Sequence, residues 1–205
     1  MKMLHEKEIF FKLKGSRDYV QGADIFDKIL VFVNAFFGNY PTMINGNFYK
    51  LLQYNGLFSL YSDTESHKQE NCYAYFSIYF DQARYQVNVS RAGSRVSISE
   101  EYDEDEVLNG IIIENDKANM LVKQSYSYME QIVAMTKKLH FIIYPNTNGK
   151  WLFTKISLKG VVNPTLFIDK TLLIEAKKNF HNKLTQNAIY LEDRYLGDIW
   201  YSLKK

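Results

Sequence analysis

Ala23-Asp24-Ile25-Phe26-Asp27-Lys28-Ile29-Leu30-Val31-Phe32-Val33-Asn34-Ala35-Phe36-Phe37 is the stretch on which the reading of this chain turns. Ile25, Phe26, Ile29, Leu30, Val33, Phe36 and Phe37 recur at spacings of one, three and four, the period of a helix with one broad apolar face. Asp24 and Asp27 fall in its first turns, where the helix dipole favours carboxylates, and Gly38 followed by Pro41 stops it. So apolar a helix is expected at the centre of the fold.

Working outward, residues 8–14 read as a strand through Ile9, Phe10, Phe11 and Leu13, and Gly15 to Gly22 as a polar loop bracketed by glycines. After the helix, 48–53 and 57–61 flank Tyr54-Asn55-Gly56, the strongest short hairpin signal. A polar loop over 63–71 leads to three strands, 72–80, 84–91 and 95–100, with turns at Asp81-Gln82 and Ala92-Gly93-Ser94. Their alternation predicts an antiparallel meander with Phe76, Ile78 and Phe80 inside and Tyr73, Tyr75 and Tyr79 on a wet face.

Beyond the acidic run 100–106 come a short strand at 110–114 and a helix over 125–139 carrying Met129, Ile132, Val133, Thr136 and Leu139. Strands at 141–144 and 151–158, a helix over 167–184, and strands at 188–192 and 199–203 complete the reading. The fold class is α+β, a curved antiparallel sheet packed around long apolar helices. We divide it into α+β units over 1–110 and 111–205, packed as one globule. At an offset of 142 the order strand, loop, helix, hairpin recurs, so the second unit reads as an incomplete duplicate or as an unrelated unit with a common pattern.

Composition narrows the classes. With 205 residues and 46% hydrophobic, the chain can build a large core without staples. A single cysteine, Cys72, points to a reducing compartment, and Met1 to Glu8 lacks a leader pattern, so a cytoplasmic location is expected. A balance of 25 basic against 23 acidic residues suggests no nucleic-acid partner, and no apolar run suggests a membrane span. His5, His67, His140 and His181 have no metal-ligand spacing, the acidic run does not match an EF-hand, and no cofactor fingerprint occurs, so no metal or cofactor is expected.

The loop densest in functional groups is Arg17-Asp18-Tyr19-Val20-Gln21-Gly22-Ala23-Asp24. A helix start offers free N–H groups to a carbonyl or phosphate oxygen, and Gly22 permits close approach. Asp18 is the candidate base or water holder, with Tyr19 beside it; Arg17, Gln21, Gly22 and Asp24 are the candidate ligand-binding residues. The structural alternative is that Asp18 and Ser16 satisfy loop amides and Asp24 caps the helix.

A strand, a loop, one long apolar helix and then a meander, over residues 8–100, resembles the element order of the hot-dog fold, in which a sheet wraps around a central helix. The remainder resembles a second, incomplete copy, as in double hot-dog proteins. The resemblance rests on element order over about half of the chain. It implies binding, and hydrolysis or dehydration, of an acyl thioester or related apolar-tailed molecule, with acyl-CoA or acyl carrier protein as partner. Hot-dog enzymes often place Asp, Glu or His near the loop and helix start; this chain has Asp18 and Asp24 there and no histidine. The rival expectation is a non-catalytic interaction protein whose Tyr73, Tyr75 and Tyr79 contact another protein. Self-association is also expected.

Overall fold

The computed structural model describes residues 2–62, 71–160 and 162–204. Its backbone forms two compact units, Met1–Tyr102 with Lys159–Val162, and Asp103–Leu158 with Asn163–Lys205. Both are helix-on-antiparallel-sheet units, the α+β class expected.

The first unit contains β1 (Lys2–Ile9), β2 (Leu13–Lys14), α1 (Gly22–Phe37), β3 (Met43–Phe48), β4 (Tyr54–Ser62), β5 (Ala74–Phe80), β6 (Ala83–Arg95) and β7 (Ser99–Glu100). Its main sheet runs β1-β4-β6-β5-β3, antiparallel throughout, and β2 pairs with β7 in parallel. α1 is the central helix. Phe26 meets Phe76 of β5 at 6.3 Å between ring centroids, Phe32 meets Phe58 of β4 edge-on at 5.8 Å, and Phe37 meets Phe80 and Tyr85 at 4.5 Å. Phe58, Leu60, Phe76, Ile78, Val87 and Val89 beneath it are fully buried. Gly38 closes the helix at φ 73°, its N–H on Asn34 O.

Three expectations fail here. Asn55-Gly56 makes no turn; both residues lie inside β4, and β3 pairs with β5 instead. The Asn55 side chain accepts the Phe11 N–H at 3.1 Å and donates to Ser94 Oγ at 2.8 Å. Gly56 sits under aromatic rings, where a Cβ would come within 2.8 Å of Phe58 and 3.1 Å of Phe11. The glycine serves a close approach, not a positive φ. Next, Ala92-Gly93-Ser94 lies within β6, which continues to Arg95, and only Ser99–Glu100 follows as strand. Finally, the wet face is largely buried: Tyr75, Ser77, Gln86 and Asn88 are at most 9% exposed. Arg84 donates to Ser77 Oγ and the Tyr75 hydroxyl there, whereas the Asn88 side chain is buried with no hydrogen-bond partner among the described residues. Cys72 is buried, its thiol donating to Ala74 O. The loop expected over 63–71 lies, except for Asn71, outside the described residues.

The second unit contains α2 (Glu104–Val107), β8 (Ile112–Glu114), β9 (Lys117–Leu121), α3 (Tyr128–Ile143), β10 (Lys150–Lys159), a 3₁₀ turn (Pro164–Phe167), β11 (Thr171–Phe180), β12 (Leu184–Leu191) and β13 (Arg194–Lys204). Its strands run β10-β13-β12-β11-β9-β8, all antiparallel. Ser127 caps α3, its Oγ accepting the Glu130 N–H. The strand expected at 141–144 is the last turn of that helix plus Tyr144. The helix expected over 167–184 is mostly strand. The 3₁₀ turn ends at Phe167, Asp169 follows at φ 58°, and Leu172 and Ile174 then alternate inward with period two. The echo at offset 142 therefore loses its longest element. The acidic run is half structural: Asp103 caps α2, and Glu104 takes Lys137 at 2.7 Å.

Candidate functional site

Loop 15–21 is held to its surroundings by backbone bonds. Gly15 N–H reaches Glu100 O at 3.0 Å, and Val20 N–H reaches Leu52 O at 2.8 Å. Gly15 adopts φ 59° against the Tyr102 backbone. Lys14 and Asp24 form a 2.7 Å ion pair with side chains only 12% and 17% exposed. Asp24 thus ties α1 to β2 and is not the helix cap; Gln21 holds the N-cap position, and its side chain makes no capping bond.

Around that pair the structure gathers Arg17 and Gln21. Arg17 stacks on Tyr102, 4.9 Å from its centroid, and donates to Lys14 O at 3.2 Å. With the Gln21 amide oxygen turned towards Arg17, it accepts from Nε and Nη1 at 3.2 Å each. Asp18 is exposed and accepts from Gln53 Nε2 at 3.0 Å. Tyr19 is half-buried, and Gly22 is the first residue of α1. Gln53 and Tyr102, distant in sequence, had no local signal to mark them.

A second feature lies further along the same helix. Lys28, Val31, Phe32, Ala35 and Phe36 form a stripe at helical spacing that faces β1. With His5, Lys7, Glu8, Ile9 and Phe10 they enclose an open groove of about 510 Å³. His5 stacks on Phe32 at 5.4 Å and Phe36 at 5.6 Å, while Phe10, Val31 and Phe36 stay 68%, 64% and 42% exposed. β1 is an edge strand of its sheet. None of the loop candidates lines the groove, but Asp24 precedes Lys28 on α1 by one helical turn, roughly 6 Å along the axis. Of the apolar helix residues that line the groove, the sequence reading marks Phe36 and not Val31 or Phe32.

The second unit buries a polar cluster. His140 is fully buried, its Nε2 3.1 Å from both Asn187 Oδ1 and Thr185 Oγ1. Trp151 and Tyr201 enclose the ring at 4.9 and 5.2 Å. Burial disfavours its cation, lowering its pKa to about 4 against the partial offset of the Asn187 bond. Among the described residues no three His, Cys, Asp or Glu side chains converge on a metal position. No described helix is long and apolar enough to cross a membrane.

No family model matches the sequence, and no curated protein is similar to it. Solved structures are similar. A conserved protein with hot dog fold from Alicyclobacillus acidocaldarius is 7% identical over all of this chain and 96% of its own, at a TM-score of 0.50. A tesB protein of Mycobacterium avium subspecies paratuberculosis is 9% identical over 93% of this chain and 89% of its own, also at 0.50. The dehydratase domain of PpsC from Mycobacterium tuberculosis, solved with C12:1-CoA, is 10% identical over 97% and 92%, again at 0.50. The fold of this chain is hot-dog-like.

Proposed function

We propose that this chain binds an acyl thioester or related apolar-tailed small molecule, its tail in the β1–α1 groove and its head towards loop 15–21. The observation that carries this is the groove itself. Its size suits a small-molecule site, and solvent reaches Phe10, Val31 and Phe36 along it. The fold adds support, since one similar structure holds C12:1-CoA. Acyl-CoA or an acyl carrier protein is the corresponding partner.

Processing of the head, by hydrolysis or dehydration, is the finer part of the proposal. For hydrolysis, Asp18 accepts a proton from water as its oxygen adds to the thioester carbonyl; the C–S bond breaks and the thiolate is protonated. Tyr19 and the N–H groups at Gly22 face the carbonyl oxygen, with Arg17, Gln21 and Asp24 shaping the head site.

Calorimetric titration with decanoyl-CoA tests both parts. Val31→Glu places a charge on an exposed stripe and is expected to weaken binding at least about tenfold while leaving the fold intact. Unchanged affinity in that variant removes the groove from the proposal. Asp18→Asn is expected to keep affinity within about twofold and to abolish thiol release. Thiol release at the parent rate removes Asp18. Light scattering on the same samples checks self-association.

A further inference from the structure

Resting on that reading of the groove, we infer that its occupant carries an anionic group beside the apolar chain, held by Lys7 and Lys28. The two lysines approach the groove from different elements, Lys7 from β1 and Lys28 from α1. Both are exposed, and neither belongs to an ion pair among the described residues. Elsewhere lysines facing carboxylates are engaged: Lys12 with Glu100, Lys14 with Asp24, Lys137 with Glu104. Lysine stems lie along apolar surface and send the ammonium to its margin. An apolar chain in the groove thus lies against a lining that carries two lysines. Glu8 also borders the groove, so a cationic head would meet one carboxylate against two ammonium groups. His5 is stacked on Phe32 and Phe36 and serves the apolar end.

The anion has two sources, the carboxylate of a free fatty acid or a phosphate on the carrier arm of a thioester. Four ligands with the same ten-carbon chain separate them: decanoate, 1-decanol, decyltrimethylammonium and decanoyl-CoA. Each is titrated into the full chain, with affinities read from resonances of Val31, Phe32 and Phe36. Two exposed contacts, each worth up to roughly fivefold, predict that the better anionic ligand binds about tenfold tighter than decanol. The cationic ligand is expected to be the weakest. The preference should shrink in high salt and fall to about twofold or less in Lys7→Gln/Lys28→Gln. Decanoate ahead of decanoyl-CoA identifies the carboxylate; the reverse identifies the phosphate. Decanol binding as tightly as both anions overturns the inference and leaves the groove reading standing. An anion preference that survives in the double variant overturns the assignment to these lysines. No shifts at the three residues with any ligand overturns both readings.

Discussion

Between β4 and β5 the chain runs from Ser62 to Ala74, whereas between β11 and β12 only residues 181–183 intervene. The first connection is long enough for β6 to lie between the strands it joins. The second is a tight turn, with His181 and Asn182 at positive φ and the Lys183 N–H on Phe180 O, so β11 and β12 must be neighbours. The first unit accordingly orders its main sheet β1-β4-β6-β5-β3, and the second β8-β9-β11-β12-β13-β10. In both, a strand that precedes the helix, β1 or β9, pairs with the second strand after it, and the first strand after the helix lies at the far side. The central pair is exchanged. Turn chemistry and connection length choose the neighbour, and the strand sequences accommodate it. We propose an incomplete duplicate as the simplest origin of this pattern.

The helices differ in what they bury. α1 presents phenylalanine rings to its sheet, while α3 buries Gln131, Thr136 and His140 among its apolar residues. An aromatic face packs without needing partners. A polar one must be satisfied in place: Gln131 donates to Lys123 O, Thr136 to Ile132 O, and His140 meets Asn187 and Thr185. The first unit should therefore answer to volume, the second to backbone fit and pH.

The largest expected effect tests backbone fit. Gly197 of β13 sits at φ 151°, and a Cβ there would land on the Ser157 carbonyl of β10. Neither backbone can yield cheaply, so Gly197→Ala should cost about 4 kcal/mol or more in urea unfolding and strip exchange protection from β10 and β13. A cost below about 1 kcal/mol would mean that the pairing there is looser than described.

Next comes acidity. Below pH 6.5 the unfolded chain protonates His140, while the folded protein does so only near pH 4. Stability contributed by this residue falls as pH drops through that window, by up to about 3 kcal/mol. His140→Gln should remove that slope, measured as the difference between parent and variant urea midpoints at pH 7, 5.5 and 4. Equal slopes in parent and His140→Gln would break the contrast.

The smallest effect belongs to volume in the first unit. Gly56→Ala pushes a methyl group against the rings of Phe58 and Phe11, which can shift, so about 1–3 kcal/mol is expected. A cost matching that of Gly197→Ala would erase the distinction between ring and backbone contacts.

Local pattern alone prescribes α1, the Asp81-Gln82 turn and the hot-dog element order, because each follows from a period of 3.6 or 2 or from the chemistry of adjacent residues. It also marks Arg17, Asp18, Gln21 and Asp24 as one dense stretch. Tertiary structure decides the rest. Asn55-Gly56 is a strand because Phe11 and Ser94, 44 and 39 residues away, claim the Asn55 amide. Residues 171–180 are a strand because β9 and β12 flank them with hydrogen-bonding edges, and both a helix and a strand could have buried Leu172. The groove exists only where β1 meets a stripe of α1 that the sheet leaves uncovered. A window of neighbouring residues encodes backbone preference; it does not encode which distant group will compete for a hydrogen bond or leave a face open.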